Sequence, residues 1–119
     1  MFGSYVIGAR GPDNAFVDVG DVAGVDTVKD AQIQSEIMRE GLITGRRIER
    51  ASASGVRPGM DLRPRIVVTV KFEGILKDPM TEELKLRSPK VVQIRADKTA
   101  AEADTLKDLE RIWLKDRMG

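Results

Sequence analysis

Residues 84–98 carry the most informative pattern in the sequence, Leu84-Lys85-Leu86-Arg87-Ser88-Pro89-Lys90-Val91-Val92-Gln93-Ile94-Arg95-Ala96-Asp97-Lys98. Val92 and Ile94 are two positions apart, the spacing of side chains on one face of a β-strand. This period predicts that both point inward and that Val91, Gln93 and Arg95 point outward. Pro89 has no backbone N–H for a sheet, so it marks the start of the strand or an edge position. Asp97 and Lys98 then follow directly after the predicted strand end.

The same stretch is strongly basic, with five Lys or Arg residues and one acidic residue. An arginine at a strand end offers a planar fork for two phosphate oxygens, and a nearby lysine adds a compact positive charge. Edge strands also carry Lys and Arg, which keep them soluble and block unwanted pairing. The charge pattern alone therefore leaves two interpretations open: a phosphate-binding strand end or an ordinary solvated edge strand.

Composition narrows the class of protein. The 119 residues fit one domain, residues 1–119, and include no cysteine and no histidine. Disulfide bonds and Cys- or His-based catalysis are therefore excluded, and a structural zinc site is close to excluded. No apolar run approaches the length of a membrane span, and the first residues lack the pattern of a secretory signal. We expect a cytoplasmic protein, in a bacterial, archaeal or phage-infected cell, with no membrane partner.

The formal net charge of +1 hides an uneven distribution along the chain. Residues 1–43 carry three basic and seven acidic side chains, whereas residues 44–71 carry seven basic and two acidic ones. Together with the stretch 84–98, the later part of the chain forms a basic half. Such separation suits a polyanionic partner, but proteins without one show it too.

Local patterns predict a hairpin followed by a helix. Two strands, 2–10 and 15–22, flank a Gly-Pro-Asp-Asn turn. A helix is expected within 24–41, capped by Asp26 or Thr27 and ended by a glycine. In the first strand, Tyr5 and Ile7 share one face and Val6 lies on the other. The residues expected to be buried in the second strand, and those expected to form the apolar stripe of the helix that faces the core, are Val17, Val19 and Val22, and Val28, Ile33, Ile37 and Met38.

The rest of the chain is predicted to be strands and a terminal helix. Residues 42–50 suit either a strand or a loop, and 56–61 suit a turn, so we interpret 42–61 as a connection with a mobile centre at 51–55. Residues 65–75 alternate regularly and predict one continuous strand, which returns at 84–96 with a break at Ser88-Pro89. The tail is expected to be a helix anchored on the domain by Leu106, Leu109 and Trp113, rather than to use Trp113 for base stacking.

Three ordered strings carry a resemblance to a known family. Leu-Arg-Ser-Pro-Lys at 86–90 precedes Ile-Arg-Ala-Asp-Lys at 94–98 and Ala-Glu-Ala-Asp-Thr-Leu at 101–106. This order resembles the last conserved block of ATP-dependent DNA ligases, where LRFPR runs into R-x-D-K and then into a helix start, EEADT. Residues 64–75 are similar to the family's P-x-x-V-x-E-V-x-x-x-E-I strand. The resemblance covers nearly the whole chain.

The resemblance implies a mainly β fold, a five-stranded oligonucleotide-binding (OB) barrel with one internal helix and a C-terminal helix. Ligases of this kind need a nucleophilic lysine in a Lys-x-Asp-Gly motif and carboxylates for a divalent metal, and this motif does not occur in the chain. We therefore expect the C-terminal ligase domain without its catalytic domain. It should hold no catalytic residue and no metal ligand. ATP and Mg²⁺ would serve the full-length enzyme, and this domain alone would bind neither.

The resemblance also assigns roles to residues. In the family, the R-x-D-K block orients the pyrophosphate of ATP when the domain closes over the adenylation site, so Arg95 and Lys98 inherit that role. Asp97 is interpreted as a carboxylate that orients one of these basic side chains. The implied partners are the nucleotidyltransferase domain of the same polypeptide and nicked duplex DNA. Further candidates for contact with phosphate or DNA, each of which could equally be a solvated surface charge, are Arg87, Lys90, Lys71, Arg63, Arg65, Arg46 and Arg47.

Two other function classes stay open. A stand-alone OB module for single strands needs exposed aromatic residues, and the chain has five, of which Phe72 and Trp113 are expected to be buried. The equivalent domain of an RNA ligase or an mRNA capping enzyme would act on RNA, and the Ala-Asp-Thr helix start favours DNA. Ser88, Lys90 and Gly74 depart from the family pattern. These departures indicate a divergent branch, such as a phage or end-joining enzyme.

Overall fold

A computed structural model describes residues 4–52 and 55–118. In these residues the elements follow in the order β1 Ser4–Arg10, β2 Phe16–Ala23, α1 Thr27–Arg39, β3 Ile43–Ser52, β4 Gly55–Leu62, β5 Val68–Lys71, β6 Gly74–Lys77, β7 Leu84–Arg87, β8 Lys90–Ile94, a 3-10 helix Ala100–Glu102 and α2 Leu106–Met118. The prediction of a first hairpin, an internal helix and a C-terminal helix is confirmed. The start of the first predicted strand, residues 2 and 3, lies outside the described part.

The strands pair two by two, always antiparallel: β1 with β2, β3 with β4, β5 with β8 and β6 with β7. β2 lies beside β7 and β8, α1 packs against β8, and α2 packs against β6 and β7. The mainly β class with two helices is therefore confirmed. The described strands form no single closed sheet, so the five-stranded barrel stays a prediction.

Two small apolar cores hold the pairs together. The first lies under α2 and contains Val19, Ile75, Leu84 and Leu109, with Trp113 packed against it. The Trp113 ring also lies 4.6 Å from the Lys77 ammonium, measured from the ring centroid. Trp113 is therefore an anchor of α2, as predicted.

The second core lies under α1, around Ile33, Ile37 and Leu42. Ile33 and Ile37 are one helical turn apart and face inward, and α1 begins at the predicted cap, where the Asp26 side chain accepts a hydrogen bond from the Lys29 N–H at 2.9 Å. The predicted burial of Val28 and Met38 is wrong, since they are 70% and 79% exposed. Both lie to the side of the narrow stripe that Ile33 and Ile37 form.

Bulges change which strand residues face inward. Between β1 and β2, Ile7 is opposite Gly20 and Gly8 is opposite Asp18. Val19 of β2 therefore has no cross-strand partner. Gly20 has a φ of 137°, a conformation that other residues rarely adopt. Val19 and Val22 are buried as predicted, but Val17 is exposed.

A second bulge lies in β8, within residues 84–98. Thr69 is opposite Gln93 and Val70 is opposite Val91, so Val92 is the extra residue of β8. Val92 is therefore exposed, and its predicted inward orientation is wrong. Ile94 does pack against the second core, as predicted.

The predicted continuous strand 65–75 is instead two short strands, β5 and β6, separated by Phe72 and Glu73. Phe72 packs against the first core, and the Glu73 N–H donates to the Arg87 carbonyl at 2.9 Å. The returning strand breaks at the same level, at Ser88-Pro89, as predicted. The two strands therefore bend together.

Residues 42–61, interpreted as a connection, form most of a long hairpin, β3–β4. The predicted turn at 56–61 is wrong, because these residues form β4. Pro58 is tolerated since β4 pairs on one side only, with β3. Residues 53 and 54 of the predicted mobile centre lie outside the described part, whereas 51, 52 and 55 are strand residues.

An ionic clamp ties this hairpin to β2 and β7. The Arg50 guanidinium donates to both Asp18 carboxylate oxygens at 2.8 and 3.0 Å, and it lies 3.0 Å from Asp21. The Lys85 ammonium donates to the Asp18 carbonyl at 2.9 Å. Burial opposes the charged form of Asp18, but the hydrogen bonds from Arg50 and the Gly20 N–H outweigh it and lower the pKa of Asp18.

A buried carboxylate, Asp30, joins α1 to β1. It accepts hydrogen bonds from the Tyr5 hydroxyl and from the Gln34 amide, the latter at 2.9 Å. Burial and the nearby carboxylate both disfavour a tyrosinate, so the pKa of Tyr5 is raised to about 12.

The Tyr5 ionisation should be directly visible, because the chain has a single tyrosine. The neutral hydroxyl is stabilised in the fold, so its contribution to stability is complete below pH 10 and is lost as the pH rises from about 10 to about 12. We expect tyrosinate absorbance to titrate with a midpoint near 12 in the folded protein. Between pH 10 and pH 12 the free energy of unfolding of Tyr5→Phe should fall less than that of the unchanged protein, because the variant lacks the Tyr5 hydroxyl. A midpoint near 10 in the folded protein would contradict this contact.

Arg50→Gln should lower the free energy of unfolding at pH 7 by about 1 kcal/mol, the upper end of the range for partly exposed ion pairs. The lowered pKa of Asp18 means that this contribution is present above its ordinary pKa of 3.8 and is lost as the pH falls below it. Urea unfolding at pH 7 and pH 3 measures both values. Arg47→Gln is the matched control, since Arg47 lies on the same strand and forms no ion pair within residues 4–52 and 55–118. Equal losses in the two variants would contradict the clamp.

Candidate phosphate-binding site

The site begins where β8 ends. The Arg95 N–H still donates to the Val67 carbonyl at 2.8 Å, so Arg95 sits at a fixed position beside β5. The Lys98 N–H then donates to the Arg95 carbonyl at 3.2 Å and closes a tight turn. This turn brings the three predicted residues, Arg95, Asp97 and Lys98, into one place.

Asp97 holds one edge of the Arg95 guanidinium. Nε and Nη2 donate to the two Asp97 oxygens at 3.0 Å each, and Nη1 lies 3.4 Å from the Thr69 hydroxyl oxygen. The pair lowers the pKa of Asp97 and raises the pKa of Arg95, with the shared hydrogen bonds as the main cause of each. A guanidinium has five N–H donors, so this geometry orients Arg95 and leaves donors for a further acceptor.

Lys98 is less tightly held. Its ammonium is 3.9 Å from a Glu102 oxygen, and Glu102 is itself occupied by the Thr99 N–H at 3.0 Å. That backbone hydrogen bond, which caps the 3-10 helix, is the main cause of the lowered pKa of Glu102. The Arg95 and Lys98 side chains are 31% and 39% exposed. Neither is enclosed, so both can reach an anion.

Arg95 and Lys98 line a cleft of about 1320 Å³ between the β3–β4 hairpin and the domain body. Two further predicted residues, Arg63 and Arg65, line the same cleft from the segment after β4. Arg57 lines it as well and was not among the predicted site residues. The feature that identifies Arg57 is the strand pairing of the β3–β4 hairpin, which places Arg57 opposite Arg50.

The other predicted residues lie elsewhere. Arg46 and Arg47 are exposed on β3, where Arg46 is 3.6 Å from Asp61. Lys71, Arg87 and Lys90 are exposed where β5 and β8 meet β6 and β7, and none of them lines the cleft. The structure therefore divides the predicted basic residues among three places: the cleft, the hairpin, and the junction of the two strand pairs.

The chemistry available in the described residues is that of cations. The turn supplies two positive side chains, Arg95 and Lys98, of which Arg95 is oriented by the Asp97 carboxylate, and both line an open cleft. No group of three or more metal-ligating side chains occurs in residues 4–52 and 55–118. No helix of the described chain is long and apolar enough to cross a membrane. Such an arrangement can bind and orient phosphate oxygens but offers no divalent-metal cage.

Comparison with known proteins relates this arrangement to a family. Residues 1–98 match the model for the ATP dependent DNA ligase C terminal region. The chain is 33% identical to DNA ligase 2 of Methanosarcina mazei over 95% of the chain and 19% of that protein. It is 29% identical to the DNA ligase of Thermococcus onnurineus over 95% of the chain and 19% of that protein. It is 33% identical to the DNA ligase of Haloferax volcanii over 94% of the chain and 18% of that protein.

The chain thus spans about a fifth of the length of these relatives. The matched segment contains the two cations of the turn, Arg95 and Lys98. The family match covers most of the 119 residues, including every described strand. The chain therefore belongs to the family of ATP-dependent DNA ligase C-terminal regions.

Proposed function

We propose that this chain is the OB-fold domain of an ATP-dependent DNA ligase, which closes over the adenylation site, orients the pyrophosphate of ATP and then engages duplex DNA at the nick. One observation carries the proposal: Arg95 and Lys98 are in one turn, partly exposed, at the edge of an open cleft. The antiparallel strand pairs and the helix between the first two hairpins support the OB-fold assignment.

The first step needs cations on the leaving group. When a lysine of the nucleotidyltransferase domain attacks the α-phosphate, the bond to the β-phosphate breaks and pyrophosphate gains negative charge. Arg95 and Lys98 would stabilise that charge and align the leaving oxygen with the attack. Asp97 would act as a positioning residue, because it holds one edge of the guanidinium of Arg95, which lines the cleft.

The cofactor fits this chain only in part. The donors of Arg95 and Lys98 suit the phosphate oxygens of ATP. The described residues include no carboxylate cluster suited to Mg²⁺, so the metal ligands and the nucleophilic lysine would come from the catalytic domain. This chain alone would then orient phosphates and would not transfer them.

The second step uses the remaining basic residues. Arg46 and Arg47 on β3, Arg63 and Arg65 in the cleft, and the cations of the strand junction would contact the DNA backbone. Such contacts position a protein on the duplex without reading its sequence, and their contribution falls steeply with salt. We expect binding to be independent of sequence and strongest at low ionic strength.

Arg95→Ala or Lys98→Ala, in a polypeptide that joins this chain to a nucleotidyltransferase domain, should slow lysine adenylation by about 100- to 1000-fold. Sealing of nicks that already carry adenylate should fall far less, because pyrophosphate has left before that step. Single-turnover adenylation with labelled ATP and sealing of pre-adenylated nicks measure the two steps separately. Lys107→Ala is the matched control, since Lys107 is exposed on α2 and does not line the cleft. Equal loss of both steps would contradict the pyrophosphate-orienting role.

A further inference from the structure

We propose that Arg10 is a positioning residue for the adenylation step, because it holds the segment of chain that follows Lys98. The inference rests on the proposed function, in which Lys98 orients the pyrophosphate of ATP. Arg10 is the last residue of β1 and was not among the predicted site residues. It is far from Lys98 in the sequence, and contacts between distant segments connect it to the turn.

The first observation is a set of three contacts between Arg10 and residues 103–105. The Arg10 backbone N–H donates to the Asp104 carbonyl at 3.0 Å, and the Arg10 Nε donates to the Ala103 carbonyl at 2.9 Å. Arg10 and Thr105 also form a parallel β-bridge. Because β1 pairs with β2 along one edge, residues 103–105 occupy its other edge at this point. The Arg10 side chain thus bonds to a residue 93 positions away in the chain.

The second observation is the short, bonded connection between these contacts and Lys98. The Thr99 N–H donates to a Glu102 carboxylate oxygen at 3.0 Å, and the Glu102 N–H donates to the Thr99 carbonyl at 2.9 Å. The 3-10 helix closed by these bonds ends directly before Ala103, whose carbonyl Arg10 binds. A displacement of Ala103 would therefore move Lys98 as well, because few backbone dihedral angles between them are free.

The third observation is that Lys98 has less support of its own than Arg95. The Arg95 N–H donates at 2.8 Å to the segment before β5, and the Arg95 guanidinium is bonded to both Asp97 oxygens at 3.0 Å. By contrast, the Lys98 N–H donates to the Arg95 carbonyl at 3.2 Å, and the Lys98 ammonium is 3.9 Å from a Glu102 oxygen. Loss of the Arg10 side chain should therefore displace Lys98 more than Arg95.

The fourth observation is where the held segment lies. Glu102, Ala103 and Asp104 line the same cleft as Lys98, whereas Arg10 does not line it. The contacts with Arg10 therefore fix part of the cleft wall beside Lys98. Arg10 acts through this segment and does not itself contact ATP.

The test measures adenylation in a polypeptide that joins this chain to a nucleotidyltransferase domain. Arg10→Met removes the donor and keeps an apolar stem, whereas Arg10→Lys keeps a charged donor for the Ala103 carbonyl. Single-turnover adenylation at saturating ATP should be about tenfold slower in Arg10→Met, the effect of one lost hydrogen bond from a charged group. Arg10→Lys should restore most of the rate. Sealing of pre-adenylated nicks should be unchanged in both variants.

Lys85→Met is the matched control. The Lys85 ammonium donates to the Asp18 carbonyl at 2.9 Å, so this variant also loses a cation bonded to a backbone carbonyl, and Lys85 does not line the cleft. Lys85→Met should leave adenylation unchanged, and equal slowing in Lys85→Met and Arg10→Met would overturn the inference. Urea unfolding shows that each variant is folded, and Arg10→Gln takes the place of Arg10→Met if that variant is not.

A double-mutant cycle tests whether Arg10 acts through Lys98. In a Lys98→Ala background, Arg10→Met should cause little further loss of adenylation, because the side chain that Arg10 positions is absent. In an Arg95→Ala background the tenfold loss should remain. A merely structural role would slow adenylation equally in both backgrounds, and that result would overturn the inference.

Failure of this inference and failure of the proposed function give different results. If Lys98→Ala slows adenylation and Arg10→Met does not, the positioning role of Arg10 is wrong and the pyrophosphate-orienting role stands. If neither Arg95→Ala nor Lys98→Ala slows adenylation, the proposed function itself is wrong.

Discussion

The structure depends on one shared bend, where the chain from β5 to β6 and the chain from β7 to β8 turn together. Phe72 enters the first core, and the Glu73 N–H bonds to the Arg87 carbonyl on the facing segment. Pro89 cannot donate to a ladder, and Ser88 takes a left-handed conformation. Because of this bend, β5 pairs with β8 and β6 pairs with β7. The β6–β7 pair therefore covers the first apolar core, and β8 packs against the second.

Both basic surfaces follow from this bend. β8 begins at Lys90, just after it, and runs along β5 until Arg95 bonds to Val67 and the chain turns back through Lys98. The far end of that strand pair therefore carries the cleft cations, and the near end carries Lys71, Lys90 and the neighbouring Arg87.

The basic side chains differ in how they are held. Arg50 is bound by two carboxylates and belongs to the clamp that positions the hairpin. Arg95 is bound along one edge and keeps donors on the other, which suits a residue that must be oriented before its ligand arrives. The junction cations, Lys71, Arg87 and Lys90, form no ion pair within residues 4–52 and 55–118.

Many local features of the fold could be predicted from the sequence. The hairpin, the cap of α1, the break at Ser88-Pro89 and the docking of Trp113 depend on turn residues, capping side chains and short-range periodicity. The family resemblance lay in ordered motifs near the end of the chain, and the match over residues 1–98 agrees with it. The turn that gathers Arg95, Asp97 and Lys98 was likewise foreseeable, since those residues are close neighbours in sequence.

The tertiary structure decided what depends on contacts between distant segments. Alternation at 65–75 predicted one strand, but the core position of Phe72 and the pairing with two different partners divided it. The bulges at Val19 and Val92 broke the period of two, because cross-strand register is set by the partner strand as well as by the local pattern. Residues 42–61 were interpreted as a connection, because their arginines and glycines give no strand pattern from which the pairing of β3 with β4 could be predicted. Sequence alone thus determined which residues carry charge and where the chain turns. Only the fold decided which charges meet, because that depends on register and packing between segments far apart in the chain.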